Sequence, residues 1–170
     1  GFMSERTLKR WVGALTLAII AWAVSTLFSR GAGSISASGE ITRSFEGVVA
    51  SSIEAIRIEG PEGRIELLRE GDTWTANGFS GDAGSIGRLL GVMSDLRVGD
   101  LVATNPANHN RMGVSADSAV TVDFEVDGRS RSILVGKQGP RFGTSYVRLP
   151  GADEVYLLEG DLRIQVVRMP

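Results

Sequence analysis

The stretch Trp11–Phe28 constrains this chain more than any other. It reads WVGALTLAIIAWAVSTLF, with no charge, no proline and one glycine. As a helix, at about 1.5 Å per residue, it spans roughly 27 Å, close to the thickness of a bilayer's hydrocarbon core. A helix that is apolar on every side offers water no face. A bilayer accepts it, because all its backbone hydrogen bonds are internal. The expectation is one transmembrane helix over 11–28. A core helix rarely carries so long an uncharged run. A cleavable signal peptide is the rival reading, since a basic start and small residues flank the run. The run, however, exceeds the roughly 7–15 apolar residues of a signal's middle region.

The flanks give the orientation. Arg6, Lys9 and Arg10 precede the run, whereas Arg30 and then Arg43 are the next bases after it. Basic residues stay on the cytoplasmic side. The expected order is therefore a cytoplasmic arm (1–10), the helix (11–28), a linker (29–44) and a periplasmic domain (45–170) in a bacterial inner membrane. Trp11 falls at the membrane interface beside Arg6, Lys9 and Arg10. Ala14, Ala18, Ala21 and Ser25 share one helix face, where small side chains let a neighbouring helix approach. That face implies integral membrane partners, with lipid around the rest.

The outer part is long enough for one domain with its own core. Its net charge contributes to a chain total of −2, so no basic field points to nucleic acid. Cysteine is absent from the sequence, which does not decide the compartment. Residues 29–40, SRGAGSISASGE, are small and polar, as a flexible tether would be. Ser44–Ser52 reads as a short strand or an irregular lead-in. Ile53–Ile58 and Ile65–Leu68 flank Gly60-Pro61-Glu62-Gly63 and predict a hairpin, with a third strand at Thr73–Ala76.

The period then changes. Ile86, Leu89, Leu90, Met93 and Leu96 form one stripe of a helix over 82–98, with Asp82 as N-cap and Gly99 as its end. Gly84, Gly87 and Gly91 weaken it unless close approach to a sheet requires them. A short strand is expected at Leu101–Thr104 and a polar loop at Asn105–Gly113. Val120, Val122, Phe124 and Val126 alternate with polar residues, and the Asp127-Gly128 turn leads into Arg129–Val135. This is the plainest hairpin in the chain. Ser145–Leu149 pairs with Glu154–Leu158 around Pro150-Gly151, and Asp161–Arg168 reads as a last strand or short helix.

The fold class is therefore α+β: a mostly antiparallel sheet with one main covering helix. The predicted core is Ile56, Ile58, Leu67, Trp74, Val122, Phe124, Leu134 and Val147, covered through Leu89, Leu90 and Met93.

Four groups of residues resemble a bacterial envelope domain family whose function is formally unassigned. They are Ile65-Glu66-Leu67 leading to Gly71-Asp72-Thr73-Trp74; the helix carrying Leu89, Leu90 and Leu96; Arg111-Met112-Gly113-Val114; and Asp127-Gly128 through Leu134-Val135-Gly136 to Tyr146-Val147-Arg148 and Val155-Tyr156. The resemblance covers about residues 53–160. It implies an N-terminal membrane helix and, in some members, genes near gliding-motility or ABC-transport components. Its motifs are turns and core positions, so it addresses fold and not mechanism.

No catalytic, metal or cofactor constellation is expected. His109, the sole histidine, lies in the polar loop and reads as a surface residue. Gly136–Gly143 is glycine-rich but lacks the order of a phosphate-binding P-loop. Asn105, His109 and Arg111 on one loop, with Lys137, Arg141 and Phe142 on the other, are the candidate partner contacts. The leading expectation is a non-catalytic, single-span accessory subunit of a larger bacterial membrane complex. A photosynthetic or respiratory energy-transducing assembly is the natural candidate. The second expectation is an envelope binding module serving an ABC transporter or motility machine. An enzyme is the third.

Overall fold

The computed structural model describes residues 37–167. The expected arm, the 11–28 helix and the linker up to residue 36 lie outside the described residues. So do Arg6, Lys9, Arg10, Trp11, Ala14, Ala18, Ala21 and Ser25. Among the described residues no helix is long and apolar enough to cross a membrane.

The described chain is a mostly antiparallel β-sheet domain with a few helices. Helix α1 (Ala37–Phe45) and a 3-10 turn (Ala50–Ser52) lead into β1 (Ile53–Gly60), β2 (Gly63–Glu70), β3 (Thr73–Ala76) and β4 (Phe79–Ser80). Helix α2 (Ala83–Ser94) and β5 (Arg97–Ala103) follow. A second 3-10 turn (Pro106–Asn108) and α3 (His109–Met112) come next. The rest is β6 (Val120–Val126), β7 (Arg129–Gln138), β8 (Thr144–Arg148), β9 (Val155–Glu159) and α4 (Leu162–Val167). All nine strands form one sheet, in the order β4-β3-β2-β1-β6-β7-β8-β9-β5.

The turns make this meander. Asp127 and Gly128 both take positive φ, 50° and 69°, which is the two-residue geometry whose twist matches the flanking strands. Strand alternation then builds continuous rows on one face. Leu67, Ile56 and Phe124 stand side by side, as do Ile65, Ile58, Val122 and Ile133, and then Val120, Val135, Val147 and Tyr156. Against these rows pack Ile41 of α1, Ile86, Leu89 and Met93 of α2, and Leu162 and Val166 of α4.

Several expectations are corrected. Residues 37–44 are helix and not linker, because Ile41 is fully buried and Phe45 stacks on Phe124 at 6.3 Å between ring centroids. The segment after it is an irregular lead-in and contains no strand. The sheet is covered by α1, α2 and α4 together, not by one main helix. Helix α2 stops at Asp95, whose N–H bonds the Val92 carbonyl. Gly99 therefore ends nothing. It lies in β5, where an added Cβ would sit 3.4 Å from the Leu157 carbonyl oxygen of β9. Strand β5 consequently begins at Arg97, not Leu101. Gly87 and Gly91 have nothing within 4 Å of an added Cβ, so no close approach explains them. The polar loop at 105–113 is a 3-10 turn and a short helix. Of the last expected strand or short helix, Leu162–Val167 is the helix α4. Trp74 is half-buried against the core, and Leu134 is buried on the opposite face from Ile133 and Val135.

Candidate functional site: a buried arginine clamp and an exposed aromatic loop

The second face of the sheet is where the predicted loops come to rest. Its far half is closed by the segment between β5 and β6. Met112, Val114 and Val155 are buried together there, with Ala103 and Tyr146 packed against them.

The predicted contact residues hold this segment in place. The Asn105 side chain accepts from Ala107 N–H at 2.9 Å and caps the 3-10 turn. His109 donates from Nε2 to the Asp153 carbonyl at 2.9 Å. Arg111 donates to the Asn108 side chain at 3.0 Å. The Lys137 ammonium donates to the Arg111 carbonyl at 3.1 Å. The 105–113 segment therefore meets the end of β7, and of the six predicted contact side chains all but Phe142 have a hydrogen-bond partner within the domain.

Beneath them sits Arg148, which is 8% exposed. Its Nε and Nη2 both donate to the Val114 carbonyl, at 3.0 and 2.8 Å, and Nη1 donates to the Ala152 carbonyl at 2.8 Å. Burial pulls the guanidinium below its usual pKa, and the charge of Asp153 partly offsets this. Gly113 takes φ 70°, the left-handed conformation that ends α3. Gly136 of β7 lies so close that an added Cβ would stand 2.4 Å from the Met112 carbonyl oxygen. Arg-Met-Gly-Val, Val-Gly and Tyr-Val-Arg are thus three parts of one packed unit. The sequence reading quoted Arg148 as part of a motif and missed its role. The available signal was a charged residue in a strand whose neighbours on both faces are apolar.

The β7–β8 loop is different. Arg141 pairs with Glu159 at 3.2 Å across an exposed surface. Phe142, beside it, is 85% exposed. In an antiparallel meander, alternate turns fall at the same end of the sheet. Phe142 therefore shares an end with the β1–β2 turn and with the β3–β4 turn that leads into Phe79, which is 78% exposed. A cleft of about 370 Å³ opens at this end, between the β1–β2 turn and α4. A smaller one, of about 180 Å³, lies on the other side of Arg163. Among the described residues no group of His, Cys, Asp or Glu is placed to hold a metal ion.

These features define an antiparallel α+β domain organised around a buried arginine, with an aromatic tip left in solvent. The family described as domain of unknown function DUF4340 matches residues 73–168, from β3 onward and more than half of the chain. This chain belongs to that family. The β1–β2 hairpin precedes the matched region. Neither the curated proteins nor the solved structures compared with it contain a match.

Proposed function

We propose that this protein is a non-catalytic, membrane-anchored accessory subunit of a larger bacterial membrane assembly. In this reading Trp11–Phe28 spans the inner membrane with the N-terminus inside. The domain stands in the periplasm and contacts integral subunits. Energy-transducing assemblies, photosynthetic or respiratory, are the partners to test first. One contrast carries the reading: the candidate chemical groups His109, Arg111 and Lys137 are engaged in the domain's own hydrogen bonds, while Phe142 is 85% exposed beside Arg141. Bare aromatics next to arginine are the composition of interface anchors.

The test is purification after mild solubilisation. The partner subunits should elute with the intact chain. Phe142→Asp should lower their recovery while leaving the domain's melting temperature unchanged, because the ring is exposed. Bulky substitutions at Ala18 and Ala21 should lower it further. Full recovery in all these variants would defeat the reading. The anchor has its own check: the chain should stay in the membrane pellet after carbonate washing, and release of the intact protein would refute a spanning helix. The second reading, an envelope binding module beside an ABC transporter or motility machine, draws support from the cleft at the sheet's end. Complete loss of turnover in an intact assembly lacking this chain would favour a direct mechanistic role.

A further inference from the structure

The 370 Å³ cleft has the size and make-up of a small-ligand site. Its floor is Ile58, Ile65 and Val120 at the ends of three strands, and its wall is Val166 and Val167 of α4. Arg163 lines both this cleft and the smaller one. Its guanidinium makes one hydrogen bond among the described residues, a donation from Nη1 to the Gly136 carbonyl. A guanidinium has five N–H donors, so most of the fork is unused. Among the described residues no carboxylate lies within ion-pairing distance of it. A half-buried cation beside aliphatic walls, with spare donors in a planar fork, matches a carboxylate head on an apolar tail.

The neighbouring charges limit the head's charge. Glu62 and Arg64 line the larger cleft from the β1–β2 hairpin, and Asp161 lines the smaller one. Asp161 also keeps a buried Oδ1 without a hydrogen-bond partner. The head must therefore approach Arg163 from the larger cleft, where Asp161 is not part of the lining. Arg163, Arg64 and Glu62 leave the larger cleft with one net positive charge, which a single carboxylate neutralises.

We propose that this cleft binds a single-chain aliphatic carboxylate, with its tail against Ile58, Ile65, Val120 and Val166 and its head on the Arg163 guanidinium. This assignment does not rest on the accessory-subunit reading. It stands or falls independently of what the chain anchors.

The test uses the full chain in membrane vesicles and a long-chain carboxylate bearing a photoactivatable diazirine at its tail end. Cross-links mapped by mass spectrometry should fall on peptides covering 58–65 and 164–167. Arg163→Gln should reduce that labelling about tenfold, the effect of losing one charge-assisted pair. Val167→Glu, at a residue 47% exposed and so tolerant of change, should reduce it too by setting a like charge at the wall. The neutral alcohol of the same chain length should label these peptides weakly. Equal labelling by the alcohol, undiminished labelling in both variants, or labelling confined to 11–28 would overturn the proposal. Labelling that appears only in a chain ending at Val167 would also overturn it, by assigning the cleft to the residues that follow.

Discussion

At Arg148 a full positive charge sits on a strand buried on both faces, with backbone carbonyls as its hydrogen-bond partners. Such a group is costly to leave half-satisfied. Arg148→Ala removes three donations and strands the Val114 carbonyl, so it should destabilise the domain by about 3 kcal/mol. Lysine should rescue this poorly, since its ammonium is a point donor and cannot span both carbonyls as the fork does. Urea denaturation of the three proteins decides it, and a wild-type midpoint for Arg148→Ala would show the clamp to be dispensable. Asp82 raises a different question, of pH. Hydrogen bonds from the Ser85 side chain and then from its backbone N–H, at 2.7 Å, hold the Asp82 carboxyl below its ordinary pKa. Glu66 is lowered in the same way, first by its hydrogen bond to Arg57 and then by that residue's charge. A depressed folded-state pKa contributes stability above the unfolded value, and the contribution is lost as pH falls through the folded one. Both contributions should therefore be intact at neutral pH and decline as the medium falls below the ordinary carboxylate range. Asp82→Asn keeps the cap's acceptor but removes its titration, so its stability should fall less steeply over that range. Parallel acid slopes in wild type and variant would show that the cap's charge is not involved.

Among the elements, α2 is open to improvement. Gly87 and Gly91 lie inside it with open space around an added Cβ. Alanine at each should raise stability by about 1 kcal/mol, the difference in helix propensity. Thermal melting of the single and double variants checks this, and a loss of stability would mean that the bare helix face is already occupied. The same helix shows what could be read in advance. Its stripe of Ile86, Leu89 and Met93, its cap at Asp82 and its place over the sheet were legible, because 3.6-residue periodicity reports burial directly. The β1–β2 and β6–β7 hairpins were legible for the matching reason, with period two and turn residues at their centres. Helix α1 was not. With Ile41 and Phe45 as its inward apolar residues, it has too few turns to show a period, and its end is held by Arg131, whose Nη1 donates at 2.9 Å to the Ser44 and Glu46 carbonyls from far along the chain. Strand β7 exposed a second limit. Both of its faces are covered at Ile133–Val135, so alternation cannot say which side is the main core, and Leu134 was assigned to the wrong one. At the site, the loops were found from their composition. That their polar side chains would find partners within the domain, leaving Phe142 bare, depends on contacts across the sheet that no local pattern records.

For the domain as a whole, the decisive point is that α1 belongs to it. One cluster of buried side chains joins Ile41 and partly buried Phe45 to the sheet rows through Phe124 and to α2 and α4. A domain boundary at residue 45, as composition alone implies, would cut this cluster. Ile41 is fully buried, and truncating such a side chain to alanine costs about 2–5 kcal/mol through lost transfer energy and the cavity left behind. Phe124→Ala should cost a comparable or larger amount, about 3–5 kcal/mol, because it also removes the ring under Phe45. Deleting α1 should do more than either. It exposes the rows that Ile41 covered and removes the Ser44 carbonyl, one of the two that the Arg131 guanidinium holds. The expected outcome is that a chain beginning at Ala37 unfolds in one cooperative transition, while a chain beginning at Glu46 melts far lower or fails to fold. Chemical denaturation followed by the fluorescence of Trp74, which packs against the same cluster, reads both. Equal midpoints for the two chains would return residues 37–45 to the role of a tether. The lower stability expected for the shorter chain would instead make α1 part of the domain itself, so that strain on the segment preceding it acts on the domain's own core.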